Sequence, residues 1–375
     1  MGSAMRAAKP KKPPAPAVSI EHLRARIDQL NRELVRLVSE RAEVARAIGR
    51  LKPPDPGAVY QPARERQVLD QVAALNPGPL GAEQLRRIFI EIISACRALE
   101  HPIRVAFLGP AHTYSHEATR EHFGSSVEFD PQPTIAAVFN ALETDRADFS
   151  VVPVENSTDG SVTLTLDLLI DTPLVIIGEI LIPIRHALMS RDGEREAIRK
   201  IVAHQQSLGQ CRAYLAANFP HCEIEAMVSN AAAAQRAATE PALAAIASCA
   251  AGEAYGLKLI AENIQDQSHN TTRFLVMGKN PAAPSGTDKT TVLFAVRDKV
   301  GALHEVLSLF ARARINITKI ESRPLRSRPW EYLFFIDLGG HRADPRVRRA
   351  LTALARVTLF SKVLGSYPEA RLSGA

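Results

Sequence analysis

The segment Asn270-Thr271-Thr272-Arg273-Phe274 sets a hydroxyl beside a guanidinium at the head of an apolar, strand-like run, Phe274-Leu275-Val276-Met277. A threonine hydroxyl so placed can donate a hydrogen bond or a proton to a leaving oxygen, but as a weak acid it needs polarising neighbours. Arg273 reads either as a partner for a substrate carboxylate or as half of a structural ion pair. Candidate neighbours follow other apolar runs. Val151 to Val154 leads into Glu155-Asn156-Ser157, and Lys200 to Ala203 into His204-Gln205-Gln206-Ser207. Arg104 to Leu108 leads into Gly109-Pro110, then Thr113 and Ser115, with Ser115 expected to cap a helix through about His122. Singly, each is an ordinary cap or turn. Together they recur at strand C-terminal ends, where open α/β sheets bind ligands.

A second set of charges lies near the N-terminus. From Ser19, a plausible N-cap, a helical pattern runs to Lys52 with a seam of Ile20, Leu23, Ile27, Leu30, Leu34, Leu37, Val44, Ile48 and Leu51. The seam calls for an apolar residue at 41 and meets Arg41, which is costly unless an anion awaits it. Lys52, about three turns on, projects from nearly the same face, while Arg24 is rotated about 100° away and suits a partner helix's pocket. Pro53, Pro54, Pro56 and Gly57 end the helix. A second helix, Pro62 to about Leu75, carries Glu65; a third, Ala82 to Glu100, carries Cys96 with Glu100 one turn below. One very long helix and two shorter ones cannot close a core alone, so an intertwined homodimer is expected, with higher assembly left open. The plainer reading is a dimerisation stalk with incidental seam charges.

Beyond the Pro/Ala-rich stretch Asn280 to Gly286, the periodicity reads βαββαβ, a ferredoxin-like α+β unit. Strands are expected near 290–296, 315–321, 331–337 and 360–365, with helices near 301–313 and 344–356. Gly301 permits a sharp turn that exposes N–H groups at a helix start, suited to an amino acid's carboxylate.

Composition excludes several classes. The 375 residues, 46% apolar, can bury several cores and suggest two to three domains. A net charge of +6 with interspersed signs and sparse aromatics gives nucleic-acid binding little support. No apolar run is long enough to span a membrane. Cys96, Cys211, Cys222 and Cys249 show no CxxC spacing and read as free thiols of a reducing cytoplasm. His112 and His116 flank the expected helix start and share no helical face, so no metal site is assigned, and no cofactor is implied.

These residues carry a resemblance. Val-Ala-Phe-Leu-Gly-Pro-x-x-Thr-Tyr-Ser (105–115), Val154-Glu155-Asn156-Ser157, His204-x-Gln206, Ala261-Glu262-Asn263-Ile264-Gln265-Asp266 and Thr271-Thr272-Arg273-Phe274 resemble the prephenate dehydratases in order and spacing. Leu23-Arg24-xx-Ile27-Asp28, Ser39-Glu40-Arg41, Gly49-xx-Lys52 and Arg64-Glu65 are similar to the all-helical chorismate mutases. Gly301-Ala302-Leu303 with Glu321-Ser322-Arg323-Pro324 resembles the ACT domain fused to such dehydratases. The family implied is the bifunctional chorismate mutase–prephenate dehydratase of phenylalanine biosynthesis.

The resemblance implies three folds. They are a three-helix mutase module, a two-lobed α/β dehydratase like the type-II periplasmic binding proteins, and an ACT domain. The expected boundaries are tail 1–17, mutase 18–101, dehydratase 102–280, linker 281–288, ACT 289–368 and tail 369–375. It also implies that Arg41 and the partner protomer's copy of Arg24 grip the carboxylates of chorismate. Lys52 and Glu100 meet the ether oxygen, Glu65 the ring hydroxyl, and Gln61 and Cys96 line the pocket. Glu100 stands where many relatives have Gln, and a Glu donates only when protonated. In the dehydratase the implied set is Thr272, Asn156 and Gln206, with Thr113, Ser115 and Ser157 against the substrate. Gly301, Ala302, Leu303, Glu321 and Ser322 would receive phenylalanine as feedback inhibitor where two ACT domains pair. One departure is Ala111-His112 where the family usually has Glu-Gly, which bears on the turn after Gly109-Pro110. Two other readings stay open: arogenate as substrate, or a non-catalytic amino-acid sensor.

Overall fold

The computed structural model describes residues 19–52, 59–324 and 332–370. The expected tail 1–17, the Pro53 to Gly57 helix stop, the strand start at 331 and all but the first two residues of 369–375 lie outside them. Helix α1 spans Ile20–Leu51, with Ser19 Oγ accepting from His22 N at 3.2 Å. Helix α2, Pro62–Ala74, begins with proline, whose missing N–H costs nothing in a first turn. Helix α3 spans Ala82–Glu100 and packs on both. Helix α1 nevertheless buries none of its residues, and Leu23 and Leu34 are 51% and 59% exposed. A single chain supplies that long seam with α3 alone, so most of it faces outward.

A first lobe follows. Its strands are β1 (Arg104–Leu108), β2 (Glu128–Gln132), β3 (Phe149–Asn156), the short β4 (Gly160–Ser161) and β5 (Val175–Pro183). Helices α4 (Tyr114–Phe123), α5 (Ile135–Glu143) and α6 (Thr163–Asp171) connect them. The N-cap of α4 is Thr113, not Ser115; Thr113 Oγ1 accepts from His116 N. The second lobe is a five-stranded sheet of β6 (Ala187–Ser190), β7 (Lys200–His204), β8 (Glu223–Met227), β9 (Leu243–Ala247) and β10 (Lys258–Ala261). Its helices are α7 (Gln205–Gln210), α8 (Arg212–Asn218), α9 (Asn230–Thr239) and α10 (Cys249–Ala254). Residues 205–210 form a helix capped by His204, so that strand-end segment is a helix start. Strand β11 (Thr271–Gly278) then returns to the first lobe and pairs between β3 and β5. Ile184 N donates to Asn270 O at 2.8 Å, tying the two crossing segments together.

The C-terminal unit is βαββαβ as expected: β12 (Asp288–Ala295), α11 (Ala302–Arg312), β13 (Ile317–Pro324), β14 (Tyr332–Gly339), α12 (Pro345–Val357) and β15 (Phe360–Pro368). It is not a loosely tethered module. Strand β15 pairs with β5 at Gly365 and Ile176, giving the order β13-β14-β12-β15-β5-β11-β3-β1-β2, with β4 on β3. A Cβ at Gly365 would fall 2.1 Å from Ile176 O, so a side chain there would prise the sheets apart. Leu275 and Met277 of the first lobe share one core with Leu293, Phe335 and Tyr367 of the C-terminal unit. The stretch read as linker is ordered too. Ala282 is buried, and Asp288 accepts from the N–H groups of Ser285 and Gly286.

The mutase helices join this body through Tyr60, which is buried in the first lobe's core with Phe123 and Phe149. Its hydroxyl bonds His122 Nε2 at 2.5 Å. Burial, then the charge of Arg97, pushes the His122 imidazole from 6.5 down to about 3. The ring is therefore neutral in the native state, whereas in the unfolded chain it protonates near its ordinary value. Its contribution to stability is complete above pH 6.5 and is lost as pH falls through that window towards about 3. His122→Gln is expected to flatten the decline of Tm across that interval, as followed by thermal unfolding in a pH series.

Candidate active sites

The α1–α3 contact gathers the predicted mutase residues. Arg41 Nη1 donates to Cys96 Sγ at 3.0 Å, and Lys52 Nζ to Glu100 Oε2 at 2.9 Å. Glu65 joins them from α2. Burial pushes its carboxyl up, while Arg97 first, then Lys52 and Arg41, pull it back down. Three cationic groups, Arg41, Lys52 and Arg97, and two carboxyls, Glu65 and Glu100, therefore share one half-buried corner, able to bind a small polyanion and to stabilise charge shifting within it. Arg24 lies elsewhere. Seventeen residues of helix place it about 25 Å along α1, exposed to solvent. Gln61 stands at the N-cap of α2, one turn before Glu65, beside Asp148, Phe149 and Lys279 of the neighbouring domain.

The second site is the cleft between the lobes, about 300 Å³, walled by Thr113, Ser115, Asn156, Gln206 and Thr272 with His186. A closed set of hydrogen bonds fixes its polarity. Asn156 Oδ1 accepts from the N–H groups of Thr158 and Asp159, so its Nδ2 must be the donating end. That nitrogen donates to Thr272 Oγ1 at 2.9 Å and to Asn270 Oδ1 at 2.8 Å. Asn270 Nδ2 then donates to Gln210 Oε1, whose own amide donates to the Asp159 carboxylate at 2.7 Å. Gln206 Nε2 donates to the same oxygen of Asp159, tying the second lobe to the first. Since Thr272 Oγ1 accepts from Asn156, its own O–H remains to donate into the cleft. His186 is held below its ordinary value by burial, against the pull of Gln210. Its Nε2 meets the accepting Oε1 of Gln210 at 2.8 Å, so that nitrogen carries the proton. Nδ1 is left to face the Tyr114 hydroxyl at 3.2 Å.

Three predicted substrate contacts serve other ends. Ser157 is absent from the cleft wall; its hydroxyl donates to His269 O and accepts from Thr271 N, clamping the entry to β11. The Thr113 hydroxyl reaches the cleft but is spent on the carbonyls of Leu108 and Pro110. Arg273 points the other way from Thr272, because side chains alternate along a strand. Its guanidinium meets Glu179 at 2.7 Å, Asp337 at 2.6 Å and the Tyr367 hydroxyl at 3.0 Å. It is a structural ion pair that bolts the first lobe to the C-terminal unit, and the carboxylate-binding reading is withdrawn. The Ala111-His112 departure lies in the turn between β1 and α4. His112 takes the left-handed conformation (φ 65°), its N–H donates to His116 Nδ1 at 3.0 Å, and its ring meets Tyr255 of the other lobe edge-on.

In the C-terminal unit Gly301 adopts φ 82° and opens α11, whose first residue Ala302 is buried and whose Leu303 packs on the core. Glu321 and Ser322 lie on β13, at the edge of the long sheet. Glu321 accepts from Ser161 of the first lobe at 3.0 Å, while Ser322 is exposed.

Comparison with known proteins finds three family models in succession along the chain. The family model of type II chorismate mutases matches residues 23–101, that of prephenate dehydratases 105–282, and that of ACT domains 290–356. The bifunctional chorismate mutase/prephenate dehydratase of Aquifex aeolicus (strain VF5) is 43% identical over 357 residues, covering 94% of this chain and 99% of that one. Its counterpart in Stutzerimonas stutzeri is 44% identical over 362 residues, covering 95% and 99%. The chain belongs to this bifunctional family. Among solved structures, the prephenate dehydratase of Arthrobacter aurescens in complex with L-Phe is 34% identical with a TM-score of 0.66, over 71% of this chain and 90% of that one. Chorismate mutase and prephenate dehydratase are accordingly the chain's two activities.

Sequence reasoning missed Asp159, Gln210 and Asn270, the residues that orient the cleft amides, and Arg97, the partner of Glu65. Gln210 carried a usable signal, since it follows Gln206 by one helical turn. The network predicts the effect of Asn156→Asp. A carboxylate cannot donate to Thr272 Oγ1 and would instead accept a hydrogen bond from the hydroxyl, turning its O–H from the cleft. Dehydratase kcat is expected to fall about a hundredfold with KM changing little, as for loss of a transition-state donor. Steady-state kinetics on prephenate measure both.

Proposed function

We propose that the α1–α3 corner rearranges chorismate to prephenate, and that the interlobe cleft then removes water and carbon dioxide from prephenate to give phenylpyruvate. In the first site Arg41 binds one carboxylate of chorismate, and the partner protomer's copy of Arg24 the other. Lys52 and the protonated form of Glu100 attend the ether oxygen as negative charge gathers there; Glu65 receives the ring hydroxyl. The rearrangement is unimolecular and needs only orientation and electrostatic stabilisation. The exposed apolar seam of α1 supports an intertwined homodimer that buries it and brings Arg24 to the second copy's pocket. The absence of a helix long and apolar enough to cross a membrane, among the described residues, and four free cysteines support a cytoplasmic setting.

In the second site the observation that carries the reading is Thr272, whose oxygen is held as an acceptor by Asn156. Its proton is thereby directed to the substrate's ring hydroxyl. As that oxygen departs, the ring carboxylate leaves as carbon dioxide and its bonding electrons complete the aromatic ring. Ser115, at the α4 N-terminus, and Gln206 support the substrate's oxygens. The test separates the two sites by mutation in an assay from chorismate. Thr272→Ala is expected to stop phenylpyruvate formation while prephenate accumulates. Arg41→Ala is expected to do the reverse, sparing dehydration of supplied prephenate. Loss of both activities from either change, with the fold intact, contradicts the two-site reading.

Phenylalanine is the proposed feedback inhibitor, supported by the L-Phe complex of the Arthrobacter aurescens dehydratase. The Gly301-Ala302-Leu303 turn and the Glu321-Ser322 edge would receive it where two ACT domains pair. A Cβ at Gly301 meets nothing within 4 Å, so a substitution there acts through backbone conformation rather than collision. Gly301→Val is expected to desensitise the dehydratase to phenylalanine with its activity retained, since β-branched residues resist a positive φ. Equilibrium dialysis that finds wild-type phenylalanine binding in this variant overturns the assignment.

A further inference from the structure

We propose that Arg97 is a positioning residue of the mutase, clamping one oxygen of Glu65 and borrowing its own anchorage from the dehydratase domain. The proposal rests on the reading of Glu65 as the acceptor for the chorismate hydroxyl. Arg97 is 4% exposed; its Nη1 donates to Glu65 Oε1 at 2.6 Å and its Nη2 to Phe123 O at 2.5 Å. Phe123 closes helix α4, so its carbonyl has no partner within the helix and carries the negative end of the dipole. The guanidinium also lies over the rings of Tyr60 and Phe123, 5.3 and 5.6 Å from their centroids. One side chain thus joins a mutase carboxylate to a dehydratase helix end.

A packing role alone would not select arginine here. Arg97 Nε is buried without a hydrogen-bond partner, a cost that a methionine or leucine would avoid. What the guanidinium supplies is a fixed, ionised Glu65. With Oε1 occupied, Oε2 is the oxygen left for a ligand. The groups facing Glu65 are Arg97 from α3, Lys52 and Arg41 from α1, and Tyr60 from the segment before α2. Tyr60 stays neutral, its hydroxyl pushed well up by burial, and so does His122 behind it. Arg97 is therefore the group that offsets the burial of Glu65 by direct contact, and Lys52 is engaged with Glu100.

The experiment compares Arg97→Met, Arg97→Lys and Glu65→Gln in the full-length chain. It measures mutase kcat/KM on chorismate across pH, with dehydration of supplied prephenate as the check on folding. Arg97→Met is expected to lower mutase kcat/KM by about tenfold or more at neutral pH, and to move the acid limb of the profile to higher pH. Arg97→Lys keeps the cation but loses the two-pronged grip; it is expected to restore the limb towards wild type while recovering only part of the rate. Dehydratase activity should remain at the wild-type level in both. A rate lost evenly at every pH in Arg97→Met, or a wild-type mutase profile, overturns the proposal. If Arg97→Met does not fold, Arg97→Lys decides alone: reduced kcat/KM with an unmoved limb supports the clamp, and wild-type kcat/KM refutes it. Glu65→Gln tests the underlying reading separately. Wild-type mutase activity in that variant removes Glu65 from the site, whatever Arg97 does.

Discussion

Strand β11 is the constraint on which both the dehydratase site and the assembly of the chain depend. Because side chains alternate along a strand, Thr272 and Arg273 must leave it on opposite faces. Pairing with β3 puts Thr272 opposite Asn156. Pairing with β5 brings Arg273 to Glu179, whose side chain is 1% exposed and also accepts from Lys289 and Ala370. A one-residue slip of β11 would exchange the two, burying a guanidinium in the cleft and a hydroxyl among carboxylates. The buried ion pairs around Glu179 and Asp337 are poor sources of stability in themselves, but they make that slip costly. They also hold the ACT sheet in one register against the first lobe.

The dehydratase cleft gains its directionality from amides rather than from a strong acid or base. Each amide can turn end for end, yet backbone N–H groups at Thr158 and Asp159 and the Asp159 carboxylate fix both ends of the series. The outcome at Thr272 follows from the arithmetic of donors and acceptors. Such a network also spans the lobes, since Asp159 stands on one and Gln206 and Gln210 on the other. The Asp159 carboxylate that ends the amide series is therefore also a tie between the two lobes.

The mutase corner is built differently, from charges on helices that cannot close a core by themselves. Its long helix leaves an apolar seam open, and its second and third helices lean on the dehydratase through Tyr60 and Arg97. The two domains thus share packing through these residues, although their sites are separate.

Local pattern alone determined the helices at 20–51 and 82–100, the strand ends that carry Asn156 and Thr272, and the βαββαβ order of the C-terminal unit. Period and capping are properties of neighbouring residues, so a sequence displays them directly. The presence of Arg41, Lys52, Glu65 and Glu100 on helical faces was legible for the same reason. Which polar residue would meet which was not. Arg273 and Ser157 sit beside site residues in the sequence and serve the frame, while Arg97 and Asp159, which no motif singled out, hold site residues in place. Adjacent residues on a strand point apart, and residues 32 or 47 positions away meet only when elements pack. The fusion of the ACT sheet to the first lobe was equally hidden, because it turns on the close approach of Gly365 to Ile176, a contact between segments that no local pattern connects.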